Sequence, residues 1–353
     1  MSLQEPLTKD QLINHSRHEF KRAGYSLSDE NIKSSVFDFI AKKNDFASTR
    51  FNSQKIIAKV LVDLDLFKKQ ASIELQLISK LISGFPLLVA HSAAGKNMDE
   101  ATLYRRHDVS AVSLETLRMF FQYERGLKEA KISKFSHRGG IYVNLSKERF
   151  KERRKRLQME MTILAKKVGR SRHSLYKYEK GESFPKISTY NNLISILGND
   201  LDVPLDILET KFKILSEKTI MEYEEPYSKL QKEVATYLAD KDFDIFWFKS
   251  EPFDGLSAPP SDKSSLKSQN NVPHPVITGV TSSNEINDSN RITSINNLSN
   301  FLQKKAIWFM EDDMENFTIS KEPINLTVVK ISDLERMPTQ DFKKLLNARI
   351  SNK

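Results

Sequence analysis

The sequence predicts a mixed architecture in which a short, strongly basic, all-α segment sits between two α/β units. Three observations lead to this expectation. The chain has 353 residues, more than one ordinary domain and enough for two or three. On both sides of the centre, strand-sized apolar runs alternate with longer amphipathic runs, the order of an α/β layer fold. Between them, residues 145–185 hold 13 Lys and Arg against 5 Asp and Glu, in a chain of net charge +9. Charge gathered this tightly points to a polyanionic partner, whereas dispersed charge would mean only solubility.

The amino-terminal unit reads in order as follows. Residues 9–36 are predicted helical, and Phe37 to Lys42 and Lys55 to Val62 are strands. A helix over Lys68 to Ser83 places Ile73, Leu75, Leu77, Ile78 and Leu81 inward and stops at Gly84. A strand at Pro86 to Ala90, a helix near Asp99 to Arg106, a strand at Ala111 to Ser113 and a helix from Leu114 to Phe121 complete the unit. The helix–strand–strand–helix order resembles restriction-endonuclease-like folds. Those need an Asp on one strand and Asp/Glu-x-Lys on the next, so that two carboxylates hold Mg²⁺ beside a lysine. Asp38 and Lys59 fill two of these places, but Ile57 stands at the third and cannot bind a metal. The unit is therefore expected to be non-catalytic and the chain not an enzyme, with no cofactor and no metal. Asp63 and Asp65, at the end of the second strand, read as strand-end caps, with a reserve metal site as the lesser alternative. Ser92 to Asn97 lacks both the upstream glycine and the Ser/Thr of a phosphate loop.

In the central segment, Ser146 is a predicted N-cap for a helix running to about Leu157, with Phe150 and Leu157 on one face. Met161, Leu164, Ala165 and Val168 form an i, i+3, i+4, i+7 stripe, closed by Gly169. Ser171 caps a third helix, Arg172 to Lys180, with Leu175 and Tyr178 inward and Gly181 at its end. A fourth helix fits Ser188 to Leu197 and a short fifth fits Pro204 to Leu208. Two short helices around a tight glycine turn are the supersecondary unit that reads DNA.

Met161 through Gly181 resembles the Cro/C1-type (XRE) helix-turn-helix. The likeness lies in the Leu164-Ala165 pair, the turn glycine Gly169, the Ser171 cap, the Tyr178-Glu179-Lys180-Gly181 ending and the downstream Pro185. It covers about residues 146–210. The whole layout resembles archaeal Cro/C1-type transcriptional regulators with long α/β flanks. That wider likeness takes in Phe37 to Val62, Tyr104 to His107, Ser113 to Leu117 and Arg138 to Val143. The resemblance implies an all-α Cro/C1-type helix-turn-helix domain over 146–212, between an α/β domain over 1–145 and a second α/β unit over 213–353. It implies a DNA-facing set of Met161, Thr162, Arg170, Ser171, Arg172, His173, Ser174, Tyr176, Lys177 and Lys180. Arg172, His173 and Lys177 would face base edges, and Ser171 a phosphate. Arg170 departs from the family pattern, which places an apolar residue there. Either the turn packs less tightly or the arginine reaches a phosphate. Arg154, Leu164, Ala165, Gly169, Leu175, Tyr178 and Glu179 would be structural, with Arg154 and Glu179 ion-paired.

The carboxy-terminal part echoes the first. A helix at Lys229 to Ala239 leads into Phe243 to Lys249, which compares with Phe37 to Lys43. Leu298 to Lys304 precedes the strand Ala306 to Met310, and Leu326 to Met337 compares with Val109 to Met119. A degenerate, restriction-endonuclease-like duplication is the expectation. Residues 257–290, rich in Ser, Pro, Asn, Asp and Lys, read as a disordered insertion. Cysteine is absent, which excludes disulfides and thiolate chemistry and fits a reducing cytosol. No apolar run approaches membrane length and no secretory signal opens the chain. The expected function is sequence-specific, cytoplasmic, nucleoid-associated DNA binding for transcriptional control. Its partner is double-stranded DNA, met as a homodimer held by the α/β flanks. The alternatives are a DNA-processing, nuclease-like protein and a DNA-associated interaction scaffold.

Overall fold

The computed structural model describes residues 8–29, 36–43, 55–208, 222–249, 252–259, 275–282, 289–312 and 326–347. The first unit comprises α1 (Lys9–Arg22), β1 (Tyr25–Leu27), β2 (Phe39–Lys43), β3 (Lys55–Asp63), α2 (Lys69–Leu81), β4 (Phe85–Ala93), β5 (Lys96–Asn97), β6 (Thr102–Arg106), β7 (Val109–Val112), α3 (Leu114–Glu124), β8 (Lys134–His137) and β9 (Gly140–Val143). Four helices follow: α4 (Lys147–Arg156), α5 (Met161–Val168), α6 (Arg172–Lys180) and α7 (Ile187–Leu197). The last unit holds α8 (Lys229–Ala239), β10 (Asp244–Trp247), β11 (Gly255–Ala258), β12 (Val276–Thr281), α9 (Ser289–Leu302), β13 (Ala306–Met310), β14 (Leu326–Lys330), α10 (Ile331–Arg336) and α11 (Thr339–Asn347).

The first sheet runs β1-β2-β3-β4-β7-β6-β8-β9, with β5 on β4; the second runs β10 to β14 in order. β3 and β4 are nearly unbroken apolar runs because both faces of the sheet are covered. On one face Leu12 and Phe20 of α1 meet Phe39, Val60, Val89 and Phe121. On the other face Leu75, Leu77, Ile78 and Leu81 of α2 join a core that also contains Phe253, Ile277, Leu298 and Trp308 of the last unit.

The two units share one plan. β1-β2-β3-β4-β7 and β10-β11-β12-β13-β14 carry the same sequence of senses, antiparallel, antiparallel, parallel, parallel. The match extends to single bonds. Asp38 N–H donates to Ala58 O at 2.8 Å and Asp254 N–H donates to Thr278 O at 2.9 Å. Val60 N–H donates to Asp38 Oδ2 at 2.7 Å and Val280 N–H donates to Asp254 Oδ2 at 2.6 Å. Gly84 N–H donates to Ser79 O, and Lys304 N–H donates to Ser299 O. Phe37, Ile40, Ile78 and Ile82 therefore correspond to Phe253, Leu256, Leu298 and Leu302, and all eight line one small apolar space between the units.

Several expectations are corrected. Residues 9–36 are not one helix, since α1 stops at Arg22 and β1 follows. The helix near Asp99 to Arg106 is strand β6, hydrogen-bonded to β7. Residues 204–208 form no helix; Ile207 and Leu208 instead insert into the first unit's core. The stretch 257–290 is not a disordered insertion throughout, because Val276 to Thr281 is a buried strand in which five of six residues are β-branched. Residues 260–274 and 283–288 lie outside the described residues. Asp244 is not the counterpart of Asp38, since it sits on β10, the partner of β11.

The fold class itself needs correction. The chain is mixed α/β, built on large sheets, and not an all-α Cro/C1-type domain between two separate α/β units. Helices α4 to α7 are bound into the sheet. Val143 N–H donates to Pro185 O and Ser146 N–H donates to Leu201 O, and isolated bridges join Tyr142 to Lys186 and Leu145 to Asp202. The restriction-endonuclease-like element of the expectation fits the observed units. Among the described residues no helix is long and apolar enough to cross a membrane.

Candidate functional site

Helices α4 to α7 pack around Phe150, Met161, Leu164, Ala165, Val168, Leu175, Tyr178, Leu193 and Leu197. Ser146 caps α4 and Ser171 caps α6, each hydroxyl accepting an N–H three residues on. Gly169 and Gly181 end α5 and α6 at φ +71° and +74°, a conformation costly for residues with a Cβ. Arg154 donates from Nε and Nη2 to the two carboxylate oxygens of Glu179 at 2.9 and 3.1 Å, and from Nη1 to Met159 O. The Glu179 bond also holds the Arg154 pKa above its ordinary value. This fork locks the end of α4 to the end of α6.

Most of the expected DNA-facing side chains are exposed. Thr162, Arg170, Ser171, Arg172, His173, Tyr176, Lys177 and Lys180 are exposed, and Ser174 is half-buried. Met161 is the exception: its side chain is 5% exposed within the helical core and cannot face a groove. Arg172 Nη2 donates to Tyr176 Oη at 3.0 Å and its guanidinium lies 5.2 Å from that ring's centroid. Arg170 Nε donates to Thr189 Oγ1 at 2.9 Å, so the arginine fills its turn by bonding to α7.

The link to the sheet is ionic as well. Lys131 reaches Asp200 and Asp202 at 2.9 and 3.2 Å, and Arg149 reaches Asp200 at 3.2 Å. The Lys131 hydrogen bond holds the Asp200 carboxyl below the ordinary carboxylate range.

A second candidate centre lies at Asp38. Its Oδ1 meets Lys9 Nζ at 3.0 Å and its Oδ2 meets Lys59 Nζ at 3.4 Å, and both Asp38 and Lys59 side chains are 8% exposed. Ile57 is fully buried in the shared core. In the last unit Asp254 pairs with Arg291 at 2.6 Å. The place of Lys59 is taken by Gly279, and that of Leu88 by Trp308. A Cβ on Gly279 would clash with the Trp308 ring, so the indole occupies the space a side chain would use. Asp63 accepts Asp65 N–H and Ser92 Oγ–H, while Asp65 accepts Ala94 N–H. These two carboxylates clasp a turn. Among the described residues no three His, Asp or Glu side chains are grouped to hold a metal ion.

Residues 9–125 match the family model of the PD-(D/E)XK superfamily domain. The chain is further similar to archaeal proteins named "Putative HTH-type transcriptional regulatory protein". One, from Methanocaldococcus jannaschii, is 25% identical over 309 residues, covering 86% of this chain and 85% of its own. One from Pyrococcus furiosus is 24% identical over 318 residues, covering 90% and 92%. One from Methanococcoides burtonii is 27% identical over 217 residues, covering 61% and 63%. No solved structure matches the chain.

The superfamily match overturns the expectation that the chain is not an enzyme, because PD-(D/E)XK is a nuclease-type enzyme fold. The Mg²⁺ implied by such folds would need carboxylates beside Lys59. Asp38 is present, with both oxygens engaged by Lys9, Lys59 and the Val60 amide, and Ile57 stands where the motif's second carboxylate would be.

Proposed function

We propose that the protein is a sequence-specific DNA-binding transcriptional regulator that reads the major groove with α6. The observation behind this reading is the exposed face of α6. Arg172, His173 and Lys177 project from a helix fixed at both ends, by the Ser171 cap and the Arg154–Glu179 fork. Arg and Lys donate to guanine O6 and N7, and a bidentate contact discriminates by ~1–3 kcal/mol. The names of the archaeal relatives support the same reading. The partner is double-stranded DNA, and two chains meet half-sites ~34 Å apart on one face of the duplex. The face joining α2 to α9 is used within the chain, so two chains join elsewhere.

Arg172→Ala is expected to cost ~1–3 kcal/mol on the best site and to relax preference at one base pair. Titration against a randomised-sequence pool checks it; equal weakening on all DNA would assign Arg172 to phosphate. In the same titration log affinity should fall steeply with log salt, as ~6–10 phosphates neutralised by a pair of chains require. A flat salt response removes DNA as the partner.

A second reading, DNA processing, is favoured by the superfamily match together with the Asp38–Lys59 juxtaposition. It expects cleavage of plasmid DNA in Mg²⁺ or Mn²⁺ that Lys59→Ala abolishes. Intact plasmid with the wild-type chain, or equal cleavage by the variant, counts against it.

A further inference from the structure

The β8–β9 hairpin stands at the edge of the large sheet, beside the loop between α6 and α7. Only its Lys134 and Phe135 pair with β6; the outer residues pair across the hairpin, His137 with Gly140 and Ser136 with Ile141. Arg138 and Gly139 both take positive φ, +46° and +72°. That is the two-residue turn whose twist matches the strands it joins, and it fixes Arg138 at the tip. His137, Arg138 and Gly139 are exposed. Residues 134–143 contain Lys134 and Arg138 and no acidic residue.

The hairpin is anchored to the loop that follows α6. Val143 N–H donates to Pro185 O at 3.0 Å, and Tyr142 forms a β-bridge with Lys186. The Phe135 ring meets Phe184 edge-on at 5.2 Å and stacks on Tyr142 at 5.9 Å. The hairpin is thus held to the loop between α6 and α7 by a backbone bond, a β-bridge and aromatic contacts together.

We propose that this hairpin is a second DNA-contacting element, with Arg138 entering the minor groove that flanks the major-groove segment met by α6. It rests on the reading of α6 given above. A recognition helix meets bases with its N-terminal residues, so its other end leaves the groove near the phosphate backbone. The hairpin is anchored on residues 184–186, a few residues beyond that end. From the Phe135–Tyr142 pair to the turn is three residues, ~10 Å at ~3.3 Å each, enough to pass one backbone ridge. A minor groove ~6 Å wide admits a single guanidinium, and its negative potential, greatest where the groove is narrow, favours arginine. An idle surface hairpin needs neither a tip free of acids nor a double anchor on the loop after α6.

The test uses the full chain and DNA selected by it from a random-sequence pool, read by titration and hydroxyl-radical footprinting. Arg138→Ala is expected to weaken binding about tenfold and to lower the salt slope by about one. It should also remove protection on the flank and leave the melting temperature unchanged, because the side chain is exposed. Arg172→Ala should keep the flank protection and lose base preference in the centre. Wild-type affinity and footprint for Arg138→Ala overturn the hairpin contact alone. A wild-type chain that selects no DNA overturns the reading of α6 and the hairpin contact with it.

Discussion

Trp308→Ala is expected to lower the free energy of unfolding by ~3–5 kcal/mol, the range for removing a fully buried aromatic from a core. Trp308 has no exposed surface and lies on β13, the strand that pairs in parallel with both neighbours. It belongs to the core shared by the two units. Its ring covers Gly279 and lies 5.7 Å from the Arg291 guanidinium, which itself holds Asp254. Truncation therefore opens a cavity and loosens the arginine that neutralises a nearly buried carboxylate. Trp308→Phe should lose less, since most of the volume remains. Chemical denaturation followed by circular dichroism checks both variants. A loss under ~1 kcal/mol for the alanine variant would show that the indole does not brace the shared core.

The same residue shows why the second unit was hard to read in the sequence. The echo of Val109 to Met119 in Leu326 to Met337 is in the register the strands adopt, Ser110 with Thr327 and Ala111 with Val328. The pairing of Asp38 with Asp244 is not. The true counterpart, Phe253-Asp254 followed by Leu256, matches Phe37-Asp38 and Ile40, but it borders a polar stretch and was hidden by it. Substitution of Lys59 and Leu88 by Gly279 and Trp308 preserves filled space while erasing the sequence signal. The helices α4 to α7 were legible because short helices write their caps and apolar stripes locally. Their attachment to the sheet was not, since Val143–Pro185 and Ser146–Leu201 are single backbone bonds between residues of ordinary type. β6, β8 and β9 are short strands whose pairing partners, not their periodicity, make them strands. The Asp38–Lys59 centre was legible as spacing. Lys9 as the second cation was not, because it arrives from the start of α1.

Glu179→Gln is expected to destabilise the helical region by ~2–4 kcal/mol. Removing one partner of a buried pair costs ~3–5 kcal/mol, and here the side chains keep 17% and 13% of their surface, so the figure is reduced for solvent. Gln can accept one hydrogen bond from Arg154, but it lacks the charge and the second acceptor. The guanidinium is then left half-satisfied between α4 and α6. Since the fork sets the angle of α6 and contacts no base, the variant should weaken binding to every DNA sequence alike, in contrast to Arg172→Ala. Arg154→Met combined with Glu179→Met should recover part of the stability, because no charge remains uncompensated. Thermal unfolding and titration against two unrelated DNA sequences separate these outcomes. Stability within ~0.5 kcal/mol of wild type for Glu179→Gln would sink the fork as a brace. A loss confined to one DNA sequence would instead make Glu179 part of the reading surface.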